Sequence, residues 1–185
     1  MPSNISGKYT RDPALLLRLL KSTEHIEGDV VEVGVYQGHK FLLFCQQTKR
    51  ICHAIDSFKG MAKPEEGDGN YPKGKFNVGG PGRLLKLTKH MNNTTIHAGW
   101  IPDVLPDIEK ISFIHIDVDT RRPTAETLAW AWPRVVPGGI LVCHDFIHNL
   151  YEVGCRRAYK DFVNQVGPYT GLENTWAWWV KNGLD

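Results

Sequence analysis

Three observations predict an α/β fold built on a doubly wound, mostly parallel sheet that closes with an antiparallel C-terminal strand. Apolar runs of strand length recur along the 185 residues, at Val30–Val35, Ile51–Asp56, Thr94–Ala98, Ile111–Val118 and Ile140–Cys143. Segments with helical signals separate them, the alternation that demands right-handed crossovers and a parallel sheet. The last run, Thr175 to Lys181, follows its predecessor too closely for another crossover, so it pairs antiparallel.

The elements follow in order. Asp12-Pro13 opens a helix carrying Leu15, Leu16, Leu17, Leu19 and Leu20, with Asp12 as N-cap and Pro13 at the first helical position. Gly38 starts a second helix bearing Phe41 to Cys45. Further helices are expected over about Gly82–Met91, Pro123–Val135 and Glu152–Gln165, with one or two helical turns at Asp103–Ile108. The Ile111–Val118 strand is apolar at nearly every position, as a strand covered on both faces must be. Pro137-Gly138-Gly139 is read as the turn into the Ile140 strand.

The length fits a single domain, residues 1–185, with 1–28 as an N-terminal helical segment. A hydrophobic fraction of 42% and a net charge of +2, without any Lys/Arg block, argue against nucleic acid as a partner. No apolar run reaches the roughly 20 residues needed to span a bilayer, and the first ten residues lack a secretory pattern. Cys45, Cys52, Cys143 and Cys155 form no CxxC pair; buried thiols and a reducing, cytoplasmic setting are expected.

Residues 57–81 are loop chemistry throughout, with Pro64, Gly67, Gly69, Pro72, Gly74 and Gly79-Gly80-Pro81-Gly82. A loop of this length leaving a strand end is read as a mobile lid, the alternative being a passive insertion.

Four strands end in polar clusters: Glu32-Val33-Gly34-Val35-Tyr36-Gln37-Gly38, Asp56-Ser57, Asp117-Val118-Asp119 and His144-Asp145. In open parallel sheets ligands sit at the carboxyl ends of the strands, so these clusters describe one cleft. The glycine turn before a helix either presents backbone N–H groups to a ligand or is a plain strand-to-helix turn with glycines for packing; its spacing is not GxGxxG, so the pyrophosphate fingerprint is missing. Asp56, about twenty residues on, suits the two hydroxyls of a ribose. Together they point to an adenosine-type ligand, and S-adenosylmethionine is favoured over NAD. Asp117 and Asp119 alternate on one strand and share a face. Two such carboxylates call for a proton or a hard divalent cation between them. With His144 and Asp145 nearby the ion is Mg²⁺, or else Mn²⁺, Fe²⁺ or Zn²⁺; the plainer alternative is that Asp119 caps a helix and His144 bonds locally.

Other residues read more simply. His115 is expected in the core, and Trp176, Trp178 and Trp179 as strand packing. Arg121-Arg122 either hold an anionic substrate group or offset nearby acids. His39-Lys40 put cationic groups at a helix start, where the dipole disfavours them, which hints at use.

With those residues in view, the chain resembles the macrocin O-methyltransferase (TylF-like) family of S-adenosylmethionine-dependent enzymes, several of which methylate sugar hydroxyls on antibiotics. The likeness rests on Val31–Gly38, Ile55–Met61, His97–Pro106, Phe113–Asp119, Pro133–Ile140 and His144–Phe146, and covers about residues 28–166. It implies a Rossmann-like sheet of the class I methyltransferase type. It implies that Glu32, Gly34, Tyr36, Gly38, Asp56, Ser57 and Asp117 contact the cofactor and that Gly99-Trp100 line its adenine pocket. Asp117 and Asp145 would bind magnesium, with His144 a third ligand by the reading of the residues themselves, and Asp119 would be the general base. The family usually carries two adjacent aspartates at His144-Asp145, and glycine and a small hydroxyl residue at His39-Lys40. The chain looks shorter than its relatives at the N-terminus, where they cover the site and form contacts between subunits, so the resemblance leaves a homo-oligomer open.

The expected activity is metal-assisted methyl transfer from S-adenosylmethionine to a hydroxyl of a polar, sugar-like small molecule, with no nucleic-acid or membrane partner. The rivals are a metal-independent methyltransferase acting on nitrogen or carboxylate, a nicotinamide-dependent oxidoreductase, and a catalytically silent S-adenosylmethionine-binding module.

Overall fold

The computed structural model describes residues 13–66, 68, 71–146 and 154–183. Asp12 and Glu152, placed at helix starts from the sequence, lie outside these residues, as do parts of the 57–81 loop.

A seven-stranded sheet runs through the molecule in the order β3-β2-β1-β4-β5-β7-β6. The parallel strands are β1 (Asp29–Val33), β2 (Cys52–Asp56), β3 (Thr94–Ala98), β4 (Ile111–Ile116) and β5 (Val135–Cys143). β7 (Trp176–Val180) pairs antiparallel with β5, and β6 (Gly171–Glu173) antiparallel with β7. The sheet is mostly parallel and closes with antiparallel strands at its C-terminal end, as expected.

Each sheet face has its own core, because both are covered by helices. On one side α1 (Ala14–Ser22), α2 (His39–Gln47) and α3 (Gly82–Thr88) pack Leu16, Leu20, Phe41, Phe44 and Leu84 against Val30, Ala54, Phe113 and Val142. On the other, α4 (Arg121–Ala131) and α5 (Cys155–Val166) pack Leu128, Ala158, Tyr159 and Phe162 against Val31, Val33, Ile114, Ile116 and Leu141. All six residues of β4 are buried, the consequence of its central place.

Several boundaries depart from the sequence reading. Asp103–Ile108 forms no helix: hydrogen-bonded turns span 101–104, and Pro102 and Pro106 prevent a ladder. β5 begins at Val135, so Pro137-Gly138-Gly139 lies inside the strand as an irregularity, with Ile111 opposite Val135 but Phe113 opposite Ile140. The Gly138 amide donates to the Lys181 carbonyl, which keeps this bulged stretch tied to the sheet. β6 has only three residues, too short for a sequence signal; Gly171 is required because a Cβ there would lie 2.1 Å from the Trp178 ring.

All four cysteines are free and buried, and Trp176 and Trp179 are core residues. Among the described residues no helix is long and apolar enough to cross a membrane.

Candidate active site

The site is assembled by extending the parallel ladders one step past the strand ends. The Gly99 amide donates to Asp56 O (3.0 Å), Gly34 to Ile55 O (2.9 Å), Asp117 to Val33 O (2.8 Å) and His144 to Ile116 O (2.9 Å). Residues 99, 34, 117 and 144 therefore stand side by side along one edge, each where its strand releases it. Two shallow concavities, of about 490 and 380 Å³, lie at the opposite, amino edge among residues such as Glu109, Trp132 and Glu27; no strand-end cluster reaches them.

Gly34 makes the close approach possible. Its φ is +86°, and a Cβ would sit 2.1 Å from the Asp117 carbonyl oxygen, so only glycine lets β1 and β4 turn away together. Asp56 ties this turn to the next strand: Oδ2 accepts from the Tyr36 amide (2.8 Å) and Oδ1 from the Phe58 amide (2.6 Å). The carboxylate is thereby held rigidly, with lone pairs left for a diol. Tyr36 and Trp100 are 45% and 43% exposed, unusually high for large rings, and both flank this edge. The Ser57 hydroxyl is spent locally, donating to Gly60 O and accepting from Lys59 N.

Three ligand atoms, one each from Asp117, His144 and Asp145, lie within 4.8 Å of one another. His144 Nδ1 is 2.9 Å from Asp117 Oδ1 and 3.2 Å from Asp145 Oδ1. Among the described residues this buried nitrogen has no well-aligned hydrogen-bond partner. An orphaned imidazole nitrogen aimed between two carboxylates fits a divalent ion. Burial opposes a charged imidazole, but the two carboxylates prevail and lift its pKa to about 9. An entering ion must therefore displace a proton. Asp145 sits at φ +57°, a left-handed conformation that aspartate tolerates better than most residues and that clusters at functional sites.

Lys40 reaches over from the first turn of α2 and donates to Asp117 Oδ2 at 2.5 Å. Although burial works to raise the Asp117 pKa, Lys40 and His144 hold the carboxyl far below its usual range. Asp119 differs: burial, with Asp117 and Asp145 beside it, raises its carboxyl to about 6.

Glu32 lies beneath the cluster and does not line the edge. It is fully buried on the α2 face, with Oε1 3.1 Å from His115 Nδ1 and Oε2 without a partner among the described residues. Burial raises its carboxyl to about 8 and pushes His115 well down.

Other contributors were invisible in the sequence. Asp68, 3% exposed within the 57–81 loop, accepts from the Arg121 amide (2.8 Å) and the Glu65 amide (3.0 Å). It caps α4 from a distance, a task the N-cap Thr120 leaves undone. The base of the loop is closed by Met61 N to Lys75 O and Val78 N to Phe58 O. Lys75 stands 4.5 Å above the Tyr71 ring and 4.8 Å from Phe76, whose edge meets Tyr36. Gly154 (φ +62°) brings the start of α5 onto the Asp119 carbonyl, which accepts from Cys155 N (3.0 Å); a Cβ would meet that oxygen at 2.5 Å. Arg121 and Arg122 pair with Asp161, Glu65 and Glu126 at the surface.

The profile of a methyltransferase domain family matches residues 31–146, more than half of the chain. The chain belongs to this methyltransferase family. It is 24% identical over 163 residues to a mycinamicin III 3''-O-methyltransferase of Micromonospora griseorubida, covering 77% of this chain and 63% of that protein. It is likewise 24% identical over 186 residues to the 8-demethyl-8-(2,3-dimethoxy-alpha-L-rhamnosyl)-tetracenomycin-C 4'-O-methyltransferase of Streptomyces olivaceus, covering 83% and 66%. The chain thus spans just under two thirds of the length of these relatives. Among solved structures, the calicheamicin methyltransferase CalS11 superposes with a TM-score of 0.76 at 19% identity, covering 90% of this chain and 77% of that one. This last likeness bears on the fold alone.

Proposed function

We propose that this chain transfers a methyl group from S-adenosylmethionine to a hydroxyl of a sugar-bearing small molecule, assisted by a divalent ion. The observation that carries this reading is the convergence of Asp117, His144 and Asp145 beside Asp119, at the carboxyl edge of a methyltransferase-family sheet. The two curated relatives, both named for O-methylation of glycosylated compounds, support the acceptor class.

S-adenosylmethionine supplies an already electrophilic methyl carbon, so the chain has two tasks, alignment and deprotonation. Gly34, Tyr36 and Gly38 would form the cradle, Asp56 would accept the ribose hydroxyls, and Gly99-Trp100 would face the adenine, with Ser57 and Asp117 completing the edge. Glu32 would act from below the floor. Asp119 accepts the hydroxyl proton as the O–C bond forms and the S–C bond breaks; its raised pKa makes it a stronger base than an ordinary carboxylate. A divalent ion on Asp117, His144 and Asp145 would lower the pKa of the hydroxyl.

The test is production of S-adenosylhomocysteine with glycosylated hydroxyl acceptors, with and without EDTA. Turnover is expected to stop on chelation and to return with Mg²⁺ or Mn²⁺. Full turnover in EDTA would favour the metal-independent rival, and release of product from an amine acceptor alone would overturn the acceptor class.

A further inference from the structure

The two oxygens of Asp117 are divided between different partners. Oδ1 faces His144 Nδ1 at 2.9 Å, on the side where Asp145 Oδ1 also points. Oδ2 is taken by Lys40 Nζ at 2.5 Å. Lys40 thus stands outside the point where the three ligand atoms converge, yet on the same carboxylate. Its position at the start of α2 is unfavourable for a cation on dipole grounds, so the ion pair is what holds it there. Burial opposes the ammonium too, but Asp117 and Glu32 keep its pKa above the ordinary value.

The charge balance has a direct consequence. Asp117 and Asp145 bring two negative charges to the ligand set, and Lys40 cancels one of them at contact distance. A divalent ion entering such a set gains less Coulomb energy and meets a like charge within a few ångströms. In exchange, Lys40 adds to His144 in offsetting the largely buried Asp117 charge when no ion is bound, and continues to do so at Oδ2 independently of the imidazole.

We propose that Lys40 is a resident counter-cation that sets the affinity of the Asp117–His144–Asp145 cluster for its divalent ion, weakening it while keeping the cluster assembled without one. This rests on the reading that the cluster holds an ion. Lys40 is a positioning residue here; it contributes no ligand atom.

The experiment is calorimetric titration of Mn²⁺ into the wild-type chain, Lys40→Met and Lys40→Arg, each shown to be folded by circular dichroism. Lys40→Met is expected to bind Mn²⁺ at least about tenfold more tightly than wild type, while Lys40→Arg, which keeps the charge, stays near the wild-type value. Mn²⁺ should also raise the melting temperature of Lys40→Met more than that of wild type. Equal or weaker binding by Lys40→Met overturns the proposal and leaves the metal reading standing if wild type binds. Failure of all three proteins to bind Mn²⁺ overturns both. Should Lys40→Met not fold, Lys40→Gln carries the same expectation.

Discussion

Replacing Glu32 by Gln tests the most unusual charge state in the molecule. Burial, with Asp117 and Asp56 adding to it against Lys40, raises the Glu32 carboxyl from 4.5 to about 8. Between those values the folded chain holds a proton that the unfolded chain has lost. The unfolded state therefore binds fewer protons, and stability falls as pH rises, by about 1.4 kcal/mol per pH unit. This contribution is whole below pH 4.5 and is lost progressively up to about pH 8. Gln is a neutral isostere that carries no such proton. From about pH 5 to pH 7 the variant should gain about 2–3 kcal/mol relative to wild type, a widening of roughly 4–12 °C in melting temperature for a domain of this size. Thermal denaturation of both proteins across that range measures it. The expectation depends on the proton residing on the Glu32–His115 pair, at either atom. A melting difference that does not change with pH would show the pair bare of that proton, its negative charge held by Lys40, and would refute the reasoning.

Three other perturbations follow from the geometry. Gly34→Ala places a methyl group 2.1 Å from the Asp117 carbonyl in a left-handed backbone, so a loss of at least about 3 kcal/mol or failure to fold is expected by urea denaturation. Asp68→Ala removes the remote cap of α4 and should destabilise by about 0.5–2 kcal/mol, with faster proteolysis within residues 57–80; an unchanged cleavage rate would show that Asp68 does not anchor the loop. Asp119→Asn should lower turnover by at least about 100-fold while S-adenosylmethionine affinity, read by calorimetry, stays within a few-fold. Retained turnover would remove Asp119 as the base.

The sequence by itself determined six of the seven strands, their alternation with helices, and the edge at which the polar clusters gather. Those features follow from local pattern: β4 is buried at every position and mostly apolar because it is central, and Asp56, Asp117 and His144 each stand where an apolar run ends. The pairings in and around the cluster were decided only by the tertiary structure. Lys40 and Asp117 are 77 residues apart, Asp68 and Arg121 are 53 apart, and Glu32 and His115 are 83 apart. None of these pairs leaves a periodic trace. Glu32 shows the difference most clearly: a carboxylate before a glycine turn reads as a ligand contact, yet strand alternation turns it toward α2 and a buried histidine. Charge and burial are properties of surroundings, and the surroundings exist only once distant strands lie side by side.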